Sequence, residues 1–414
     1  MKTARFLSPQ VALQICFGLI GVGHVAALWF ELYRLVTLSL LAAVVIACWS
    51  GRAQARRMVG IGPGLLLACP IYIYALVSTL WSPDSAIAFR DAVYMCMAVA
   101  PAIALGLLMA RRYTGLQIAQ AFGVMLIPFA FQAVASMVER GDPMLIGNGS
   151  MRSILGSIIC LTSPILAGAW VLTKQRRFVL LGLIAAAFAV TMESRSVILF
   201  AAPSVLVSLY FQDRRLALRL LKRWGVPLLL VAVFASSSLL ARFASDATSL
   251  DISESVFEEL QKPSEDRVDF DRRLTTLTAT TTFLENPLLG RGYASILQIH
   301  EREFGLEISA HGLLPGTLSE LGLFGMGVLL WTLWRVISRA RKTILTAKKD
   351  NPMLIHFLVG FGAVLVLGLF HQTIESVFFG LMIGLLIGFG TKLRSKRNLP
   401  RLAFHPTQAS ASSK

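Results

Sequence analysis

The sequence predicts an all-α polytopic membrane protein of about twelve transmembrane helices with one large polar loop. Three observations predict it. Of 414 residues, 55% are hydrophobic and only 15% charged, with a mean hydropathy of +0.67. That balance is far from a soluble globular chain. Apolar runs of about 17–25 residues recur, each long enough to cross a hydrocarbon core of about 30 Å. Basic residues gather in the short connections between those runs, as the positive-inside rule requires. A membrane β-barrel would instead show alternating segments of about ten residues. The formal charge of +16 and pI near 10.1 come from those connections and do not point to nucleic acid.

The spans run, in order, over roughly 10–30, 33–50, 61–81, 88–110, 115–138, 153–173, 178–193, 196–212, 225–243, 313–334, 353–370 and 374–392. The connections test that count. Basic clusters stand at Arg52, Arg56 and Arg57, at Arg111 and Arg112, and from Lys174 to Arg177. Others run from Arg214 to Arg223, from Arg335 to Lys349, and from Lys392 to Arg401. With twelve spans every cluster falls on one side, the cytoplasm, together with both termini. The opposite side receives WSPDSA (81–86), ERGDPMLIGNGS (139–150), the Glu193–Arg195 hairpin, the polar loop and HQTIES (371–376). The first span reads as retained, since Val25-Ala26-Ala27 is a poor signal-cleavage site. No repeat relates the two halves of the chain, and the tail beyond Pro400 reads as disordered.

Domain organisation follows: membrane helices over 1–243 (about nine spans), an outer loop over 244–312, membrane helices over 313–393 (about three spans) and a cytoplasmic tail over 394–414. Cys16, Cys48, Cys69, Cys96 and Cys160 all fall inside apolar runs without a CxxC spacing. They read as small buried hydrophobes, with neither a disulfide framework nor a metal site.

The loop carries 13 acidic and 6 basic residues between Ala244 and Ala310, in a chain that is otherwise strongly basic. Residues 244–266 are acidic and read as irregular or partly helical. From Arg272 to Leu284 the apolar residues take helical spacing, which predicts an amphipathic helix near the membrane surface. Pro287 stops that helix, and Gly290 and Gly292 permit a tight turn in ENPLLGRGY (285–293).

The residues with chemistry are few. Arg195 lies in ESRS (193–196), at a short outer hairpin, with Glu193 as a candidate partner. A guanidinium there either anchors to headgroups or grips phosphate. Arg272 and Arg273 open the amphipathic stretch, and Arg291 sits in the glycine turn. Two arginines from different segments can hold a pyrophosphate and neutralise the charge that grows as it leaves. The alternative is pairing with Asp266, Asp269 and Asp271. His311 stands where the chain re-enters the membrane, suited either to a structural role or to taking a proton from a hydroxyl. Glu320, nine residues later in the same helix, either orients a substrate or caps that element. His300 and His371 have no such surroundings, and His24 reads as a span residue bonded to a backbone carbonyl. No cluster has the spacing of a metal site, and no nucleotide-binding or serine-hydrolase motif appears in context.

ESRS, then Arg272 fifteen residues before Pro287, then NPLLGRG, then His311 eleven residues before GLFG (Gly322–Gly325), in this order, resemble the O-antigen ligase and polymerase superfamily. The motif-level resemblance covers roughly residues 150–335, and the layout resembles the GT-C-like fold of those enzymes. It implies a metal-independent, cofactor-free glycosyltransferase on the periplasmic face of the bacterial inner membrane. The donor would be a glycan on undecaprenyl pyrophosphate. The acceptor would be lipid A–core for a ligase, or another lipid-linked repeat for an O-antigen or exopolysaccharide polymerase. Carried over, Arg195 and Arg272 would bind the pyrophosphate, helped by Arg273 and Arg291. His311 would deprotonate or position the acceptor hydroxyl, with Glu193 and Glu320 in support. The sequence departs from the ligase pattern at Gly312, Met326 and Thr275-Thr276. A polytopic transporter or flippase is the reading from another class; it calls for ionisable groups or broken helices at mid-membrane.

Overall fold

The computed structural model describes residues 8–30, 32, 34–49, 69–140, 145–146, 149–150, 152–191, 195–223, 264–305, 312–347, 351–368 and 377–397. It is a helical membrane protein. The helices are α1 (Pro9–Phe30), α2 (Arg34–Trp49), α3 (Pro70–Ser78, extended by a 3-10 turn over Thr79–Trp81), α4 (Ser85–Arg112) and α5 (Gly115–Arg140). They continue as α6 (Arg152–Thr173), α7 (Arg176–Thr191), α8 (Arg195–Gln212) and α9 (214–223). The rest are α10 (Ser264–Glu285), α11 (Ser295–Phe304), α12 (Leu313–Ala347), α13 (Leu354–Gly368) and α14 (Val377–Arg397). The described strands are one antiparallel pair of two-residue segments, Leu145–Ile146 with Gly149–Ser150, in the ERGDPMLIGNGS connection.

Among the described residues five helices are long and apolar enough to cross a membrane: Pro9–Phe30, Ser85–Arg112, Gly115–Glu139, Ile154–Thr173 and Leu313–Ile344. Shorter apolar helices cover Arg34–Trp49, Pro70–Trp81, Phe200–Gln212, Leu354–Gly368 and Val377–Gly390. Most of their borders agree with the spacing-based spans to within a few residues. Of the span expected over 61–81 only Pro70–Trp81 is a described helix, its earlier part lying outside the described residues. α12 runs on to Ala347 because its basic stretch keeps a helix-forming composition. The span expected over 225–243 lies outside the described residues.

Asp84 starts α4: its Oδ1 accepts from the Ala86 and Ile87 N–H groups at 3.1 and 3.0 Å, satisfying two of the donors a helix N-terminus leaves open. Proline inside α4, α5, α6 and α8 is tolerated because neighbouring helices enclose the freed carbonyls. In α6 the Pro164 carbonyl accepts from Ser208 Oγ of α8 at 2.6 Å, and Ser208 Oγ also lies 2.6 Å from His356 Nδ1 of α13.

Among the described residues α4 and α14 pack closely along their length. Gly380, Gly384 and Gly388 stand one turn apart on α14. A Cβ on Gly384 would fall on the Ile103 carbonyl, and one on Gly388 would meet Ala110 Cβ at 2.7 Å. In lipid the drive for helix association is close van der Waals packing, so small residues let the two backbones meet. His24 of α1 stacks on Phe378 of α14 at 5.0 Å and lies 2.7 Å from the Ile20 carbonyl, as the sequence reading expects.

Gly384→Val should lower the thermal midpoint of the detergent-solubilised protein sharply, since overpacking costs about 1–3 kcal/mol even without backbone collision. Gly182→Ala, in open space on α7, should leave that midpoint unchanged or slightly raised. Equal behaviour of the two variants in a melting experiment would refute close α4–α14 packing.

Candidate functional site

The two glycine motifs of the sequence meet in space. α12 is broken at Gly322, whose backbone is left-handed (φ 68°, ψ −171°). The break removes the helical partners of four groups, and the NPLLGRG turn supplies new ones. Leu323 N donates to Pro287 O at 2.9 Å and Phe324 N to Leu288 O at 3.0 Å. In return, Arg291 N donates to Ser319 O and Gly292 N to Glu320 O, both at 2.9 Å. In an unbroken helix Leu323 and Phe324 would have bonded Ser319 and Glu320, four residues back. The turn is thus spliced into the ladder of α12.

Glycine is required on both sides of the splice. A Cβ on Gly290 (φ +70°) would meet Gly322 N at 2.6 Å, and one on Gly322 would meet the carbonyl carbon of Leu288 at 2.5 Å. Tyr74 of α3 steadies the break from the other side, its hydroxyl donating to Leu321 O at 3.3 Å and its ring 5.1 Å from Phe324.

The turn is also fixed to the WSPDSA connection between α3 and α4. Ser82 Oγ shares its proton between Tyr293 O and Gln298 Oε1, each at 3.1 Å. Gln298 Oε1 accepts from Asp84 N at 2.8 Å, and its Nε2 donates to Asp84 O at 3.0 Å. Tyr293 N donates to Ser78 Oγ at 3.1 Å. Ser78, Ser82, Tyr293 and Gln298 are all buried, so their mutual satisfaction decides whether the docking holds.

α10 and α11 complete the loop side. The inward face of α10 carries Leu274, Thr275, Thr278, Ala279 and Thr282, with Leu277 and Leu284 exposed. The helix expected over Arg272–Leu284 exists, and its buried stripe is Leu274 followed by threonines and one alanine, while Leu277 and Leu284 face outward. It also begins earlier, at Ser264. His300 of α11, which the sequence reading passed over, is fully buried 3.0 Å from Thr278 Oγ1.

The candidate side chains distribute as follows. Arg291 projects from the splice and pairs with Glu285 at 3.0 Å, the two being 42% and 60% exposed, in place of the aspartates considered from sequence. An exposed pair of this kind contributes about 0–1 kcal/mol, so a polyanion can displace Glu285. Glu320 is 7% exposed and lines a small crevice with Thr317, Tyr293, Met95 and Ile71, bordered by Gly312. Arg195 is the first residue of α8, and Arg272 and Arg273 stand in α10; for these three only the helix is described. Glu193 and His311 lie outside the described residues. Among the described residues, then, the site brings Arg291 and Glu320 to one splice.

Sequence reasoning missed Ser78, Ser82, Tyr74 and Gln298. A usable signal existed only for the serines, in the turn-forming SPD of WSPDSA.

Gly290→Ala should raise hydrogen-exchange rates at Arg291, Gly292, Leu323 and Phe324 by about tenfold or more, since a left-handed alanine alone costs about 1–2 kcal/mol. Gly305 has a similar φ of +66° with nothing within 4 Å of its Cβ. Gly305→Ala should leave those four amides as they are. A matching rise in both variants would mean that contact with Glu320 and Gly322 is not what demands glycine at 290.

No protein-family model matches this chain, and no curated protein matches it.

Proposed function

We propose that this protein is an O-antigen ligase-like glycosyltransferase of the bacterial inner membrane, with about twelve spans in a GT-C-like arrangement and its loop in the periplasm. It would transfer a glycan from undecaprenyl pyrophosphate to an acceptor such as lipid A–core. The observation that carries the reading is the splice between NPLLGRG and GLFG. These two motifs bear the family resemblance, and their joining bonds Arg291 N to Ser319 O, next to Glu320, which lines a crevice bordered by Gly312.

The chemistry follows from the donor. The acceptor oxygen forms a bond to the anomeric carbon as the bond from that carbon to the pyrophosphate oxygen breaks. Negative charge grows on the departing pyrophosphate, which Arg195 and Arg272, with Arg273 and Arg291, would neutralise. The acceptor proton would pass to His311 and then to water, with Glu193 and Glu320 orienting the groups. Cleavage of the activated bond between the anomeric carbon and the pyrophosphate oxygen supplies the driving force, so no nucleotide is consumed. A polymerase runs the same chemistry with a second lipid-linked repeat as acceptor.

The broken α12 also favours a transporter reading, since discontinuous helices often line ion or substrate paths. In transporters the freed backbone groups bind the cargo. Here the Ser319 and Glu320 carbonyls already accept from Arg291 N and Gly292 N, which supports an enzyme.

The surface glycolipids of a deletion strain separate these readings. A missing ligase leaves full-length polymer on the carrier lipid and bare core. A missing polymerase leaves core capped by a single repeat, and an unchanged profile refutes both for that glycan.

In a reconstituted transfer assay, His311→Ala should abolish turnover while the protein still folds and inserts; near-normal activity would rule out the base role. Arg291→Ala should lower kcat/KM about tenfold, the scale of one hydrogen bond to a charged group. Glu285→Gln should leave kcat/KM unchanged or raised, because it frees Arg291. A matching loss in both variants would instead assign the ion pair a structural role.

A further inference from the structure

The splice leaves a patch of leucines bare. Leu288 is 69% exposed and Leu289 52%, although both sit in a turn held by four backbone hydrogen bonds. Leu284, at the end of α10, is 70% exposed beside them in sequence. A turn in water has no reason to present three large apolar side chains from a rigid backbone. The same bonds fix what adjoins them: Leu288 O and Pro287 O accept from Phe324 and Leu323. Those two residues are themselves 59% and 51% exposed and belong to the span-length apolar helix Leu313–Ile344. The leucines therefore continue the lipid-facing surface of α12.

Depth can be read from the other contacts. Gly292 rests on the turn joining α3 to α4, where a Cβ on it would meet Ser82 N and Cα at 2.7 Å. That turn marks the end of two membrane helices, hence the bilayer edge. Leu288 bonds to Phe324, on the side of the splice further along α12 into the membrane. Arg291, beyond Leu289, stands at the edge with its guanidinium exposed. Tyr74 lies between Phe324 and Trp81, with ring centroids 5.1 Å and 6.2 Å away respectively, an aromatic cluster of the kind found at an interface.

We propose that Leu284, Leu288 and Leu289 form a wedge inserted among phospholipid acyl chains of the leaflet that faces the loop. The wedge sets the depth of Arg291, holding its guanidinium at the level of lipid phosphates. A pyrophosphate on a lipid carrier would then be met from within the bilayer plane. The insertion rests on the membrane reading of α12; only the identity of the pyrophosphate ligand rests on the proposed function.

The test is a bimane label on Leu288→Cys, repeated on Leu289→Cys, in vesicles made of phosphatidylethanolamine and phosphatidylglycerol without polyprenyl lipid. The wild-type protein, with its five cysteines, supplies the background. Glu303→Cys, on the exposed face of α11, is the water-facing control. Phospholipid carrying a nitroxide near the glycerol end of its chain should quench the wedge labels by about half or more, and aqueous iodide should quench them several-fold less than the control. Iodide quenching equal to that of Glu303→Cys overturns the wedge. Protection from both quenchers overturns it as well, since a second copy of the chain or another segment would then cover the leucines. A quenching pattern as expected together with no glycosyl transfer would retain the wedge and reject the enzyme reading.

Discussion

Four backbone hydrogen bonds between a six-residue turn and a broken helix hold this molecule's candidate site together. Each is modest alone, about 0.5–1.5 kcal/mol net. Their weight comes from where they sit. The break in α12 exposes two N–H and two C=O groups in a region where water is scarce, and leaving them unmet would cost far more than any one bond yields. The turn is therefore needed to complete the membrane helix, and the helix to fix the turn. Arg291, Tyr293 and the crevice by Glu320 inherit their positions from that mutual need. The Ser82–Gln298–Asp84 contacts add a second attachment, so the loop is tied to both α12 and the α3–α4 connection.

Much of the fold was legible from hydropathy alone, because a helix that must satisfy its backbone in lipid announces itself by length and apolar content. α1, α2, α4, α5 and α6 follow the expected borders closely. The break at Gly322 was invisible to that signal, since the apolar pattern runs through it without a proline. α11 was missed for the opposite reason: ten residues of mixed polarity (SILQIHEREF) give too short a period to read. The face of α10 was legible only in part: Leu274 is buried as apolar spacing suggests, whereas Leu277 and Leu284 look outward and threonines line the seam.

The candidate site was legible as motifs and not as contacts. NPLLGRG and GLFG stand out for their glycines, yet nothing in either predicts that the glycines must touch each other. The partners that fasten the turn, Ser78, Ser82 and Gln298, come from segments about 215 residues apart in the chain and carry ordinary polar side chains. Arg291 was correctly singled out as an exposed cation on a glycine turn, while its Glu285 partner, six residues away, was passed over in favour of more distant aspartates.

The threonine seam beneath α10 has a consequence for how a large amphiphile could reach such a site. Threonine and alanine bury little apolar area, and the local hydrophobic cluster there is small, Ala279 with Ile296 and Ile299. A seam of that kind separates at a lower free energy than a leucine-packed one, because less surface is returned to water and each hydroxyl can exchange its partner for a solvent molecule. The C-terminal end of α10 runs directly into the splice, whose backbone bonds hold it, whereas the rest of the helix rests on this thin seam.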